Sequence, residues 1–168
     1  ISSTRIGLPR VIKSSGIAAR AKRALLLIAV SLKNLGSDRS VNYTSWGGNR
    51  SLSRRVKLAD NFGKTYLPKG FAGATIDGQL TSAPIGANEQ IQDLLVFEPP
   101  AEEVEFLLLE LPAAAFGEPG AVYFKIPGEM IVKAADLPET LAPPGGRDEP
   151  GDAGDRKGRP MNLGIPEI

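Results

Sequence analysis

Residues 24–33, with the sequence Ala-Leu-Leu-Leu-Ile-Ala-Val-Ser-Leu-Lys, decide the fold class of this chain. Alternate positions along the stretch are apolar, namely Leu26, Ile28, Val30 and Leu32. Ser31 and Lys33 fall on the opposite face, and a side-chain period of two is typical of a β-strand. The apolar run is too short to cross a bilayer as a helix, which takes about twenty residues. We therefore predict a buried strand here and no transmembrane segment in this chain.

Further short strands are predicted after this one, at the regular spacing typical of a β-sandwich. These strands are predicted at residues Val41–Thr44, 56–58, 65–67, 83–85, Ile91–Phe97, 104–111 and 122–126. Between two of them, residues 60–63 read Asp-Asn-Phe-Gly, and Asn and Gly tolerate the backbone of a tight hairpin. The sequence therefore predicts an all-β fold, a sandwich of seven to eight strands over residues 24–132.

The charges are divided unevenly along the chain. Residues 1–57 carry twelve Lys and Arg against one acid, whereas residues 58–168 carry eight against eighteen. Residues 1–23 hold six positive charges and no acid, and Gly and Pro interrupt any helical period. We predict that residues 1–23 form a basic extended arm that contacts an oppositely charged partner.

The C-terminal segment, residues 133–168, has a different composition. It contains six Pro, six Gly and seven acids, with few large apolar side chains. Ordering such a segment costs about 1 to 2 kcal/mol of backbone entropy per residue, which only contacts can offset. We predict a Pro/Gly-rich acidic tail that gains order by lying along other proteins.

The composition excludes several kinds of chemistry. The chain has no Cys, so thiolate nucleophiles, disulfides, sulfur-ligated zinc and iron–sulfur clusters are impossible. It also has no His, the commonest general base and metal ligand. The acids between Glu98 and Glu110 are interpreted as a solvated loop and strand face, and Gly47-Gly48 lacks the Lys-Ser/Thr pair of a phosphate loop. We predict no enzyme activity, no cofactor and no metal site.

Basic and aromatic residues are the candidate contacts with a partner. The predicted set is Arg5, Arg10, Lys13, Arg20, Lys22, Arg23, Tyr43 and Trp46. For the two aromatic residues the alternative is a place in the sandwich core. The basic arm could also neutralise phosphates, but it has no aromatic residue for base stacking and its charges are interleaved with Ile and Val. An acidic protein surface is therefore favoured over nucleic acid as the partner.

Several longer motifs are similar to a known domain. These are Tyr43–Gly48 (Tyr-Thr-Ser-Trp-Gly-Gly), Leu58–Tyr66 with Asp-Asn-Phe-Gly, Leu94–Pro100, Phe106–Gly117 and Phe124–Pro127. Together they resemble an immunoglobulin-like, telokin-like β-sandwich domain of unknown function, found in bacterial, particularly planctomycete-type, envelope and multidomain proteins. The resemblance covers residues 24–132. It implies an immunoglobulin-like fold, an auxiliary role, a cell-envelope location and no catalytic residues.

We expect from these observations a non-catalytic accessory or structural subunit that binds other proteins of a stable bacterial complex through its arm and tail. The alternative is a capsid-like or nucleic-acid-associated coat protein with a basic arm. Membrane association is expected only through partner proteins or a leader outside this sequence.

Overall fold

The computed structural model describes residues 1–101 and 103–133, which fold mainly into β-strands. The strands are β1 (Ser3–Gly7), β2 (Arg10–Lys13), β3 (Ala18–Arg20), β4 (Leu25–Lys33), β5 (Val41–Thr44), β6 (Lys57–Asp60), β7 (Thr65–Tyr66), β8 (Ala74–Ile76), β9 (Ser82–Ile85), β10 (Gln90–Phe97), β11 (Phe106–Pro112), β12 (Ala121–Pro127) and β13 (Ile131–Lys133). The helical segments are one α-helical turn, α1 (Arg50–Ser53), and two 3-10 turns, Ala113–Phe116 and Gly128–Met130. The all-β prediction is confirmed.

Two four-stranded sheets form the body of the fold. The first has the order β10-β4-β1-β13, and the second has the order β12-β11-β6-β7. Neighbouring strands are antiparallel except for β1 and β13, which run parallel. Two smaller sheets, β3-β2-β8 and β5-β9, complete the strand pairing of the described residues.

The main core lies between the two large sheets. The first sheet contributes Leu26, Ile28, Val30, Leu95 and Phe97, and the second contributes Leu58, Leu107, Leu109, Leu111 and Ile126. All of these side chains are at most 1% exposed. Because one apolar face of each sheet packs against the other, the architecture is a β-sandwich, as predicted.

A second, smaller core lies on the other face of β4. It contains Leu25, Leu27 and Ala29 of β4, Leu94 and Val96 of β10, and Ile76 of β8. The small β3-β2-β8 sheet therefore covers the face of the first sheet that the main core does not use. Residues 25–30 are therefore all buried, which means that both faces of β4 are covered in this part of the strand. The alternation of residues predicted that only one face would be buried.

The predicted N-terminal arm is wrong for residues 3–20. Strand β1 lies inside the first sheet, paired with β4 on one side and β13 on the other. Strands β2 and β3 belong to the small sheet that covers the second core. The sandwich therefore begins at Ser3, because β1 supplies the backbone partners that β4 and β13 require.

The predicted acidic tail lies outside the described residues from position 134 onward. Within the described part, no helix combines the length and the hydropathy needed to cross a membrane.

Candidate functional site

Tyr43 and Trp46, two predicted partner contacts, are buried in the main core. Their side chains are 1% and 2% exposed. Both rings pack on Phe116, and the Trp46 indole Nε1–H donates to the Pro112 carbonyl at 2.8 Å. The prediction that they contact a partner is wrong, because a side chain enclosed in this way offers no surface. They hold the small β5-β9 sheet against the sandwich.

The same region contains a buried carboxylate that sequence reasoning missed. Asp93 of β10 is fully buried and accepts hydrogen bonds from the Tyr43 hydroxyl at 2.5 Å and the Ser45 hydroxyl at 2.7 Å. Its other oxygen accepts from the backbone N–H of Leu80 at 3.0 Å and of Leu94 at 2.8 Å. Burial and the Asp93 charge together raise the pKa of the Tyr43 hydroxyl, which keeps it protonated as a donor.

We interpret the Asp93 cluster as structural. It joins β10 to β5 and to the loop before β9, and Asp93, Tyr43 and Ser45 are at most 1% exposed. A substrate therefore has no access to the carboxylate or to the Ser45 hydroxyl. The alternation of β10 is the signal that could have indicated this, because Asp93 lies on the same face of the strand as Leu95 and Phe97 of the main core.

The six basic residues predicted as contacts are all exposed, but they do not share one patch. Arg10 and Arg20 are direct cross-strand neighbours on β2 and β3, with Asp77 3.9 Å from the Arg10 guanidinium. Lys22 and Arg23 line a cleft at the start of β4. The two others, Arg5 on β1 and Lys13 at the end of β2, lie outside this cleft.

We call this feature the basic cleft, a cavity of about 630 Å³. Three segments line it, and its residues are Ala21, Lys22, Arg23, Ala24, Leu25, Lys69, Gly70, Phe71, Glu98 and Pro99. Backbone hydrogen bonds hold two of the walls, since the N–H of Ala21 donates to the Pro9 carbonyl at 2.9 Å and that of Lys69 to the Val96 carbonyl at 2.8 Å. The cleft is therefore formed by ordered backbone.

The rim of the cleft is charged, and its floor is apolar. The Lys69 ammonium lies 2.5 Å from the Glu98 carboxylate, and both side chains are partly exposed. The hydrogen bond and charge of Lys69, with smaller contributions from Lys64 and Arg23, lower the pKa of Glu98. On the floor, Leu25 belongs to the second core and Phe71 packs against it. Three cations face one acid, so the cleft suits an anionic group next to an apolar one.

Two of the other acids between Glu98 and Glu110 have ordinary surface partners. Glu110 bonds to Lys57 at 3.0 Å, and Glu103 bonds to Lys133 at 3.2 Å. Over residues 1–101 and 103–133, no three acidic side chains cluster closely enough to hold a metal ion. Residue 102 lies outside the described part of the chain.

Of the comparisons with known proteins, the one with solved structures found chains similar to this one. No protein-family model matches it, and no curated protein matches it. Among solved structures, it is similar to the yjhA protein from Bacillus subtilis, with 13% identity and a TM-score of 0.42 over 75% of this chain and 83% of that one. It is also similar to a putative lipoprotein, ycdA, from Bacillus subtilis subsp. subtilis, with 18% identity and a TM-score of 0.45 over 77% of this chain and 35% of that one.

Proposed function

We propose that this chain is a non-catalytic accessory subunit that binds other proteins of a larger assembly, and that the basic cleft is a contact site. The resemblance to an immunoglobulin-like, telokin-like domain is part of the same proposal, since it implies an auxiliary role without catalytic residues. Two of the N-terminal basic residues, Lys22 and Arg23, supply charge to the cleft together with Lys69. They act from fixed positions on the sandwich instead of from a free arm.

The observation that carries the proposal is the composition of the cleft. Lys22, Arg23 and Lys69 supply positive charge, and Phe71 and Leu25 supply an apolar floor. Exposed ion pairs contribute little affinity alone, about 0.2 to 1 kcal/mol each. Apolar burial adds to this at about 25 cal/mol per Å². A charged rim around an apolar centre is the common arrangement of protein interfaces. An acidic partner segment with an apolar side chain fits both parts.

Nucleic acid fits the cleft less well. The hydrogen bond and charge of Lys69, with smaller contributions from Lys64 and Arg23, lower the pKa of Glu98, and its carboxylate offsets part of the positive charge on which phosphate binding chiefly depends. The Phe71 ring packs on the second core, which leaves less of it to stack on a base. A coat protein that binds nucleic acid is therefore the second candidate, and the same experiment distinguishes it.

The test reverses two charges of the rim. We expect Lys22→Glu/Arg23→Glu to weaken binding of a labelled peptide of alternating Glu and Leu by about ten-fold, because two attractive contacts become repulsive. The matched control is Arg54→Glu/Arg55→Glu, which makes the same change in net charge at two exposed arginines outside the cleft. Fluorescence anisotropy at low and high salt measures the affinity, and added salt should weaken wild-type binding.

Two results would contradict the proposal. Equal weakening by the control variant would mean that net charge, not the cleft, attracts the peptide. Tighter binding of a single-stranded oligonucleotide than of the peptide, lost in the cleft variant, would favour the coat-protein function instead.

A further inference from the structure

Among the described residues, strand β12 is an open edge of the second sheet. It pairs with β11 on one side and is the last strand in the sheet order. Backbone bonds at both ends fix the phase of this pairing: the N–H of Ala113 donates to Gly120 at 3.0 Å, and that of Gly128 donates to Glu105 at 2.7 Å. Antiparallel bonds alternate, so residues 122, 124 and 126 bond to β11. The N–H and C=O groups that point outward belong to Ala121, Tyr123 and Lys125.

The side chains of β12 are also incompletely covered. Tyr123 is 71% exposed on the outer face, and Val122 is 41% exposed at the margin of the main core. Phe124, which stands opposite Leu109 of β11, is only partly buried. An apolar edge strand of seven residues is the kind of surface on which a further strand adds.

A lysine often protects such an edge from pairing, but the lysine of β12 contacts an aromatic ring instead. Lys125 is the one charged residue of β12, and its ammonium lies 4.1 Å from the centre of the Phe106 ring on β11. This cation–π contact holds the lysine over the face of the sheet. Lys125 therefore protects the backbone edge of β12 less than a lysine on an edge strand usually does.

We propose that a second copy of this chain pairs with β12 in antiparallel orientation, with the two-fold axis at Tyr123. The outward groups of Tyr123 then bond to those of Tyr123 in the second copy, and the outward groups of Ala121 bond to those of Lys125. The second sheet of one copy and the second sheet of the other then form one continuous sheet. The proposal is independent of the basic cleft.

This register is favourable for every pair of side chains. Tyr123 faces its own copy, which makes an aromatic pair on the outer face. Val122 faces Phe124, so a β-branched residue packs on an aromatic one at the margin of each core. Lys125 faces Ala121, so the two lysines stay apart and no like charges meet. This self-complementarity of charge and shape is the reason for choosing a second copy over a foreign strand.

Single cysteines test the register directly, because the chain has no cysteine of its own. In the proposed dimer the two Cα atoms at position 123 lie about 5.5 Å apart, within disulfide range. We expect Tyr123→Cys to form a disulfide-linked dimer on mild oxidation. The matched control is Lys125→Cys on the same face of the same strand, whose two copies lie about 14 Å apart and should stay unlinked.

Native mass measurement of the full chain over a hundred-fold range of concentration should show a dimer that dissociates on dilution. Tyr123→Pro removes the outward N–H and the tyrosine ring but no hydrogen bond to β11, so it should leave the thermal unfolding temperature almost unchanged and give a monomer. A wild-type monomer at every concentration overturns the proposal. Equal cross-linking of the two cysteine variants overturns it as well, and so does a dimer that persists in the proline variant.

Discussion

Asp93 shows most clearly how a single residue organises this molecule. It is fully buried, it has no ion-pair partner among the described residues, and four donors from three segments surround it. Such a network is stable only when every group is satisfied, since an unpaired polar group costs more in the interior than in water. The carboxylate therefore specifies how β10, β5 and the loop before β9 meet.

We expect Asp93→Ala to lower the free energy of unfolding by about 3 kcal/mol or more, because the Tyr43 and Ser45 hydroxyls and the Leu80 N–H lose their acceptor. Asp93→Asn should cost only about 1 kcal/mol, since the amide oxygen still accepts from Leu80 and the hydroxyls can rotate to accept from the amide nitrogen. Urea unfolding measures both values. Asp38→Ala, at an exposed loop position, is the control, and a loss in Asp93→Ala no larger than in this control would contradict the structural role.

At the scale of elements, the β6–β7 hairpin follows from its sequence. Residues 60–63 form the predicted turn, and the backbone of Gly63 has a positive φ of 80°. One oxygen of Asp60 accepts from the N–H groups of Phe62 and Lys64 at 2.9 Å, and the other accepts from the Tyr66 hydroxyl at 2.6 Å. The Tyr66 hydrogen bond is the largest of the effects that lower the pKa of Asp60.

This hairpin predicts a dependence of stability on pH. Because the pKa of Asp60 is lower in the folded chain than its ordinary value of 3.8, its stabilisation is fully present above that value and is lost as pH falls through the folded pKa. Tyr66→Phe should therefore destabilise the protein at neutral pH, and the difference from wild type should shrink below pH 3.8.

Thermal unfolding across this pH range tests the prediction. Tyr123→Phe removes a hydroxyl from an exposed tyrosine and should have no such effect. A difference between wild type and Tyr66→Phe that stays constant with pH would show that the carboxylate is not involved.

Elements that rest on local signals were predictable. The strands Val41–Thr44, Gln90–Phe97 and Ala121–Pro127 fall close to the predicted alternating runs. The burial of both faces of β4 was not predictable. It depends on Ile76 of β8, which reaches β4 only through the small sheet that β2 shares with it.

At the scale of the whole molecule, the N-terminal segment is the main departure from the sequence prediction. Its basic residues and its Gly and Pro indicated an arm, yet β1 lies between β4 and β13. The pairing of Thr4 with Ile131 joins opposite ends of the described chain, and no local pattern reveals such a contact. The basic cleft was missed for the same reason, since Arg23, Lys69 and Glu98 come together only through the fold.

Hydrogen exchange of the full chain tests the central claim, that residues 3–20 are part of the sandwich and thereby hold the basic residues in place. We expect the paired amides of β1 to exchange as slowly as those of β4, because the two strands open in the same cooperative unit. Exchange of Ser3–Gly7 at the rate of an unstructured peptide, while β4 stays protected, would contradict it.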